Sequence, residues 1–386
     1  MIDAITLNMP GTIEFGVGKI ATLKDHLRQS QRLFFLVDTP VIQTIEPIIE
    51  ELKKSGAAVE ISTDVVPEPP IESLEKLLAP VKEFAPDAVV GIGGGSAMDM
   101  AKLVAVLFSG KQKTDEVIGI GNVAGRSVKL LTASTTSGTG SEVTPIAVLT
   151  DTGAGLKKGV VSPHIVPDVA IVDPELTRGM PPGLTAVTGM DAMTHCIEAY
   201  TNRFAHPIID SLALDGVRLI SRSLETAVQD GNNLEARTDM SLGSLYGGMC
   251  LGPVNTAAVH ALAYPLGGTF KISHGMSNSV LLPFVMQFNL PSCVERYAEI
   301  GRVLGLQSGG SEKETARAAI SAVRKLSQRC GIPGDLQSIG IPESSIEAMA
   351  EAAMEVQRLL NNNPREVTLD DARMIYEQAY KGQIDI

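Results

Sequence analysis

The chain has 386 residues, 44% of them hydrophobic, enough to bury a substantial core; at roughly 150 residues per domain, two domains are expected. Its 32 basic against 44 acidic residues give a net charge of −12, which argues against nucleic acid or an anionic membrane as the main partner. No basic stretch leads into an apolar one at Met1-Ile2-Asp3-Ala4, and the four cysteines lack a C-x-x-C pair, so neither a signal peptide nor a disulfide framework is expected and the cytoplasm is the simplest location.

From the start to about Pro181, short β-rich runs at 33–37, 59–62, 88–92 and 128–132 alternate with helix-like stretches at 22–30, 40–55 and 71–84. Such alternation predicts a mostly parallel sheet with helices on both faces. The apolar stretch 88–110 carries too many glycines for a lipid-spanning helix and reads as strand, glycine turn and helix. After Pro181-Pro182 the strand runs stop. Amphipathic segments near 183–201, 208–229, 233–251, 255–269, 293–305, 311–330, 343–359 and 368–381 predict an all-helical second part. The expected fold is therefore an α/β nucleotide-binding domain over 1–181 and an all-α domain over 182–386, with a ligand in the cleft between them.

Three features of the first part suit a dinucleotide. Asp38 ends an apolar strand, where such folds set a carboxylate against the adenosine ribose; it equally suits a turn before Thr39-Pro40. In the first role its charge would oppose a 2′-phosphate and favour NAD over NADP. Gly93-Gly94-Gly95-Ser96 closes a strand and opens a helix at Ala97, offering free N–H groups and a positive dipole end to an anion, or simply a strand–helix turn. The hydroxyl-rich run Thr135-Thr136-Ser137-Gly138-Thr139-Gly140-Ser141-Glu142 could hold phosphate and ribose or cap a following helix.

In the second part, Asp191 and His195 stand four apart on one helix face, His260 follows on another apolar helix, and His274 fourteen residues later. One carboxylate and three imidazoles would bind Fe(II), Zn(II) or Co(II) with coordination left open for substrate. Each residue alone also fits a structural place; the combination carries the reading. Glu198, on the face of His195, reads as a salt-bridge or solvent group, and Cys196 as a small buried hydrophobe. His26, His164 and His206 read as surface or loop residues.

Five ordered blocks together resemble the iron-containing (group III) alcohol dehydrogenase family over essentially the whole chain. They are Gly93 to Lys102, Thr135 to Thr144, Pro167 to Pro174, Gly189 to His195, and Val259 to Gly268 with His274-Gly275. The resemblance implies reversible hydride transfer between a small alcohol and NAD, with NADP second, in a homodimer or larger homo-oligomer. It assigns Asp191, His195, His260 and His274 to a metal, Fe(II) or alternatively Zn(II). Gly94, Gly95, Ser96, Thr135, Thr136 and Thr139 would hold the cofactor, Asp38 the adenosine ribose and Lys157 the nicotinamide ribose. Two positions depart from the family. Tyr264 stands where members often have a second histidine, and is the candidate proton relay; Glu68 replaces an asparagine and would alter adenine contacts. A dehydroquinate-synthase-like lyase, a metal-dependent hydrolase and a non-catalytic nucleotide binder are the competing readings.

Overall fold

In the computed structural model, which describes residues 4–153, 156–306 and 310–384, the chain divides into two compact units. One is Leu7–Gly179; the other runs from Met180 onward together with the residues just before Leu7.

The first unit contains strands β1 (Thr12–Phe15), β2 (Arg32–Val37), β3 (Ala58–Ser62), β4 (Ala88–Gly93), β5 (Gly119–Ile120), β6 (Lys129–Ser134), β7 (Ile146–Asp151), β8 (Leu156–Val161) and β9 (Val169–Val172). Its helices are α1 (Leu23–Leu27), α2 (Ile42–Lys54), α3 (Ile71–Phe84), α4 (Gly95–Leu107) and α5 (Thr114–Val117). Six strands form one sheet in the order β1-β9-β6-β4-β2-β3, every neighbouring pair parallel. Period-two alternation sorts its side chains. Leu33, Phe35 and Val37 of β2 join a core with Ile45, Ile49 and Leu52 of α2, while Phe34 and Leu36 join the opposite core with α3 and α4. The helix after β2 and the helix after β4 thus cover opposite faces. Strand order reverses at this point, so a crevice forms at the carboxyl ends of β2 and β4, the place where doubly wound sheets bind ligands.

The parallel sheet matches the sequence expectation; the second sheet was not foreseen. It has the order β5-β8-β7, with β7 and β8 antiparallel. These strands are partly exposed and carry charges such as Lys157 and Lys158, so they lack the unbroken apolar run that marked β2 and β4. The hydroxyl-rich run also caps no α-helix: after it the backbone makes one short 3-10 turn at Ser141–Val143 and enters β7.

The second unit is helical: α6 (Pro182–Thr201), α7 (Pro207–Gln229), α8 (Leu234–Leu251), α9 (Ala258–Phe270), α10 (His274–Asn289), α11 (Val294–Val303), α12 (Glu312–Arg329), α13 (Ile346–Met354), α14 (Gln357–Leu360) and α15 (Leu369–Lys381). Pro182 takes the first position of α6, where no N–H is required. Ser311 and Glu314 cap α12 reciprocally, as Thr368 and Asp371 cap α15. Two expectations need correction. The segment near 343–359 is two helices, α13 and α14, and α10 has no counterpart among the expected segments. Residues Ser277 to Met286 of α10 are all buried and Pro283 lies within it, so no polar face marks its period. No helix among the described residues is long and apolar enough to cross a membrane.

Candidate nucleotide cradle and metal centre

Adjacent parallel strands deliver the first group of residues. Asp38 follows β2, Gly94 to Ser96 follow β4, and Thr135 and Thr136 follow β6. Helix α4 starts from Gly94 without a side-chain cap and without an acidic residue in its first turn, so its dipole end is suited to an anion. A Cβ on Gly93 would lie 2.7 Å from the Ala97 Cβ, and one on Gly95 2.9 Å from Thr139 Cγ2. Glycine at these two places lets the loops close on each other. Thr136 Oγ1 is buried with no hydrogen-bond partner among the described residues, an acceptor and donor suited to a ligand.

The other predicted nucleotide residues join the same network. Asp38 Oδ2 accepts from Gly94 N at 2.7 Å, and burial raises this carboxyl while the Gly94 N–H opposes the rise. Thr135 N donates to Gly93 O at 3.0 Å, tying β6 to β4 beyond the sheet. Lys157 Nζ donates to Glu68 Oε2 at 2.7 Å and to Thr150 Oγ1 at 2.8 Å. Glu68 N in turn donates to Ser96 Oγ at 3.1 Å. Hydrogen bonds thus join Asp38 to Gly94, Thr135 to Gly93 and, through Glu68, Lys157 to Ser96, while Gly95 closes against Thr139 by packing. An uncapped helix start, tightly fitted glycines and an orphaned buried hydroxyl fit a phosphate-bearing ligand.

The second group lies in the helical unit. Asp191 and His195 sit one turn apart on α6, His260 on α9, and His274 opens α10. Their ligand atoms all lie within 4.8 Å of one another. Asp191 Oδ1 is 3.8 Å from Nε2 of each histidine. That is too long for a hydrogen bond, yet within the roughly 4 Å that separates two donors each about 2 Å from one ion. The His195 and His260 rings stack at 4.9 Å. Burial, then His195 and His274, holds His260 well below the usual imidazole value, so its ring is neutral with a lone pair to give. Burial pushes the Asp191 carboxyl up, but the three imidazoles and Asn278 outweigh it and keep it ionised. A buried carboxylate and three imidazoles whose ligand atoms converge within 4.8 Å fit a divalent transition metal.

Three residues outside the predicted set adjoin this cluster. Glu198, expected as a salt-bridge or solvent group, is 4% exposed and is the pairing kind; its Oε2 meets His260 Nδ1 at 2.6 Å and its Oε1 accepts from Val259 N at 2.7 Å. A carboxylate on Nδ1 fixes the tautomer that turns Nε2 to the cluster. Burial raises Glu198 to about 7, with the N–H groups of Ala257, Val259 and His260 opposing. Asn278, on α10, donates from Nδ2 to Asp191 Oδ1 at 2.7 Å and lies 3.1 Å from Nε2 of both His260 and His274. Its spacing of four from His274 was the one signal available. Arg358 of α14 acts electrostatically on the Tyr264 side chain, an influence with no sequence signature. Burial raises the Tyr264 phenol and Arg358 opposes the rise; the ring is 6.5 Å from that of His274.

The other histidines lie elsewhere: His26 near Glu14, His164 in a short turn, and His206 buried as the cap of α7 through Nδ1. His206 lies in the loop before α7, as one half of the surface-or-loop reading had it, but is buried there and not at the surface. All four cysteines are free and buried, Cys196 among them, with burial holding its thiol well above the usual value.

Residues 10–174 match the family described as Iron-containing alcohol dehydrogenase, and residues 185–380 the Fe-containing alcohol dehydrogenase family, C-terminal. The chain is 43% identical to long-chain-alcohol dehydrogenase 1 of Geobacillus thermodenitrificans (strain NG80-2) over 347 residues, 89% of this chain and 87% of that protein. It is 34% identical to the NAD-dependent methanol dehydrogenase of Bacillus methanolicus over 376 residues, 96% and 98% of the two chains. A crystal structure of a 1,3-propanediol oxidoreductase superposes with a TM-score of 0.94 at 33% identity, covering 98% of this chain and 100% of that one.

Proposed function

Since the chain belongs to the iron-containing alcohol dehydrogenase family, we propose that it interconverts a primary or small secondary alcohol and the matching aldehyde or ketone with NAD(H), using a divalent metal held by Asp191, His195, His260 and His274. The observation that carries this reading is the convergence of those four side chains in the helical unit of a chain whose other unit bears an anion cradle. An ion bound there acts as a Lewis acid on a hydroxyl or carbonyl oxygen. NAD brings the hydride chemistry, and the protein supplies position and field.

The residues divide this work. Glu198 fixes the His260 ring and leaves its Nε2 for the ion, while Asn278 orients the Asp191 carboxylate. Tyr264, its phenol kept protonated by burial, serves as a proton donor or acceptor at the substrate oxygen, steadied by Arg358. On the cofactor side, the start of α4 with Thr135, Thr136 and Thr139 receives the pyrophosphate. Asp38, one oxygen held by Gly94 N–H, receives the adenosine ribose hydroxyls on the other and selects NAD over NADP. Fe(II) is the proposed ion, and Zn(II) a competent substitute in a nitrogen and oxygen site. Four buried thiols suit a reducing cytoplasm, and assembly as a homodimer or larger oligomer belongs to the same reading.

The test uses the full chain purified without oxygen, stripped by chelation, and reloaded with Fe(II) or Zn(II). Metal-dependent oxidation of NADH, exceeding that of NADPH, is expected across a panel of small aldehydes. His260→Ala should abolish turnover and leave NADH binding within about twofold of wild type. Full activity without metal, or in His260→Ala, would overturn the proposal. Net conversion without NADH consumption would point to the lyase instead.

A further inference from the structure

We infer that Arg358 receives an anionic group on the substrate, so that the reaction favours aldehydes and ketones bearing a carboxylate, and the matching hydroxy acids, over neutral ones. This rests on the dehydrogenase reading above and names the substrate class within it. The observation is a buried charge without a partner. Nη1 of Arg358 is enclosed by protein and has no hydrogen-bond partner among the described residues. No acidic side chain among them pairs with the guanidinium. A guanidinium offers several N–H donors and no acceptor, and it stays charged in proteins. Taking it out of water unpaired is costly, so buried charges are paired or hydrogen-bonded.

Two other arginines of the helical unit show the usual solution. Buried Arg237 donates to Gly231 O at 3.0 Å, Thr185 Oγ1 at 3.0 Å and Met180 O at 3.3 Å. Arg296 pairs with Asp210 at 2.9 Å. Arg358 has neither arrangement, although its segment is firmly held. Leu359 and Leu360, the next residues of α14, are buried in the helical core. Just beyond them, Asn362 Nδ2 donates to Thr256 O at 2.8 Å, and the Asn362 carbonyl accepts from Arg203 N at 2.8 Å. Thr256 lies just before α9, so α14 is tied to the start of the helix that carries His260 and Tyr264 one turn apart. Burial chiefly sets those two groups, the imidazole low and the phenol high, and the Arg358 charge acts to lower both. The guanidinium therefore sits beside one metal ligand and the proposed proton relay.

Charge decides which substrate group fits. The nearby acids are already engaged. Glu198 spends its two oxygens on Val259 N and His260 Nδ1, and Asp191 accepts from Asn278 beside the three imidazoles. Against a divalent ion and a guanidinium, these two carboxylates leave positive charge in excess. A neutral hydroxyl on the substrate would accept one hydrogen bond from Arg358 and leave its charge uncompensated. A carboxylate neutralises it and takes two parallel N–H bonds from the fork. Holding the far end in this way also fixes the reacting carbon relative to Tyr264.

The metal-loaded full chain, assayed for NADH oxidation, tests the assignment with two matched pairs in which an isopropyl group replaces the carboxylate: glyoxylate with 2-methylpropanal, and succinic semialdehyde with 4-methylpentanal. At least one acid should exceed its neutral partner about tenfold or more in kcat/KM, chiefly through KM, the worth of hydrogen bonds to a charged group. Arg358→Met should reduce that ratio to within about twofold of unity, and Arg358→Lys, which keeps the charge without the fork, should retain part of it. Because the same side chain steadies Tyr264, both partners turn over more slowly in Arg358→Met, and the ratio is the readout. Calorimetry gives a second readout without turnover. The inert carboxylate of the preferred length, oxamate or succinate, should bind Arg358→Met at least about tenfold more weakly than wild type, with NADH binding within about twofold. Neutral aldehydes equal to or better than both acids, an acid preference that survives in Arg358→Met, or NADH binding that falls in step with the carboxylate would overturn the assignment and leave the dehydrogenase reading intact. If no aldehyde of either kind is reduced with metal and NADH bound, the dehydrogenase reading fails, and the substrate class with it.

Discussion

Glu198 shows how little a single carboxylate reveals before its neighbours are known. In the sequence it stands three residues after His195, a spacing equally good for a surface ion pair. What buries it is the start of α9, which brings the Val259 N–H and the His260 ring onto its two oxygens. Asp191 and His195 were legible because both lie within one helical turn, whereas Glu198, Asn278 and Arg358 depend on which helices meet. Replacing Glu198 by alanine should therefore leave the four ligands present but lower metal affinity about 10–100-fold. Competition with a chromophoric chelator measures this, and Glu198→Gln should fall between the two. An unchanged affinity in Glu198→Ala would reduce the residue to packing.

Helix α4 combines an open start with an unusually costly interior. Lys102 is fully buried, with Nζ donating to Ser141 Oγ at 2.8 Å, Thr144 Oγ1 at 3.1 Å and Ile146 O at 2.8 Å, and lying 3.7 Å from Asp99. Burial pulls it down to about 8 against the pull of Asp99 and Glu142, and raises Glu142 to about 7. Asp99 also accepts from Ser141 Oγ and from Val148 N, so helix, hydroxyl-rich turn and β7 are joined through one charged cluster. Lys102→Ala should cost about 3–5 kcal/mol, since it leaves acidic groups buried without their cation. Urea unfolding of the isolated variant reads the loss directly, and a change below about 1 kcal/mol would contradict the cluster's role. At this scale β2, β4 and β6 were readable as apolar runs ending in glycine or hydroxyl clusters. Helix α10 was not, because a helix buried on every side has no stripe to detect.

For the molecule as a whole, the class of fold followed from a change of texture along the chain, β-rich runs alternating with helix-like stretches in the first part and amphipathic helical segments alone in the second. Pairings between distant segments left no such trace, among them the packing of Ile5 on the helical core and the position of β1 beside β9. If an ion is held by the native Asp–His cluster and not by the unfolded chain, its removal must cost stability by mass action. At a free metal concentration 100 times the dissociation constant, that amounts to about 2.7 kcal/mol. Calorimetric melting of the chelated protein should show a lower transition that recovers on adding Fe(II) or Zn(II), with no recovery in His260→Ala. A transition indifferent to metal would argue that the cluster is held together by packing alone.

The place of β1 also sets an order of events in synthesis. Thr12 pairs with Val169, a partner 169 − 12 = 157 positions later in the chain. At about 5–20 residues per second, on the order of ten to thirty seconds pass between the emergence of the two. During that interval β2, β3 and β4 can already associate, while the first strand waits without its ladder. A ribosome-bound chain ending before β9 would accordingly present β1 to proteases and chaperones, and one extended past Val172 would withdraw it.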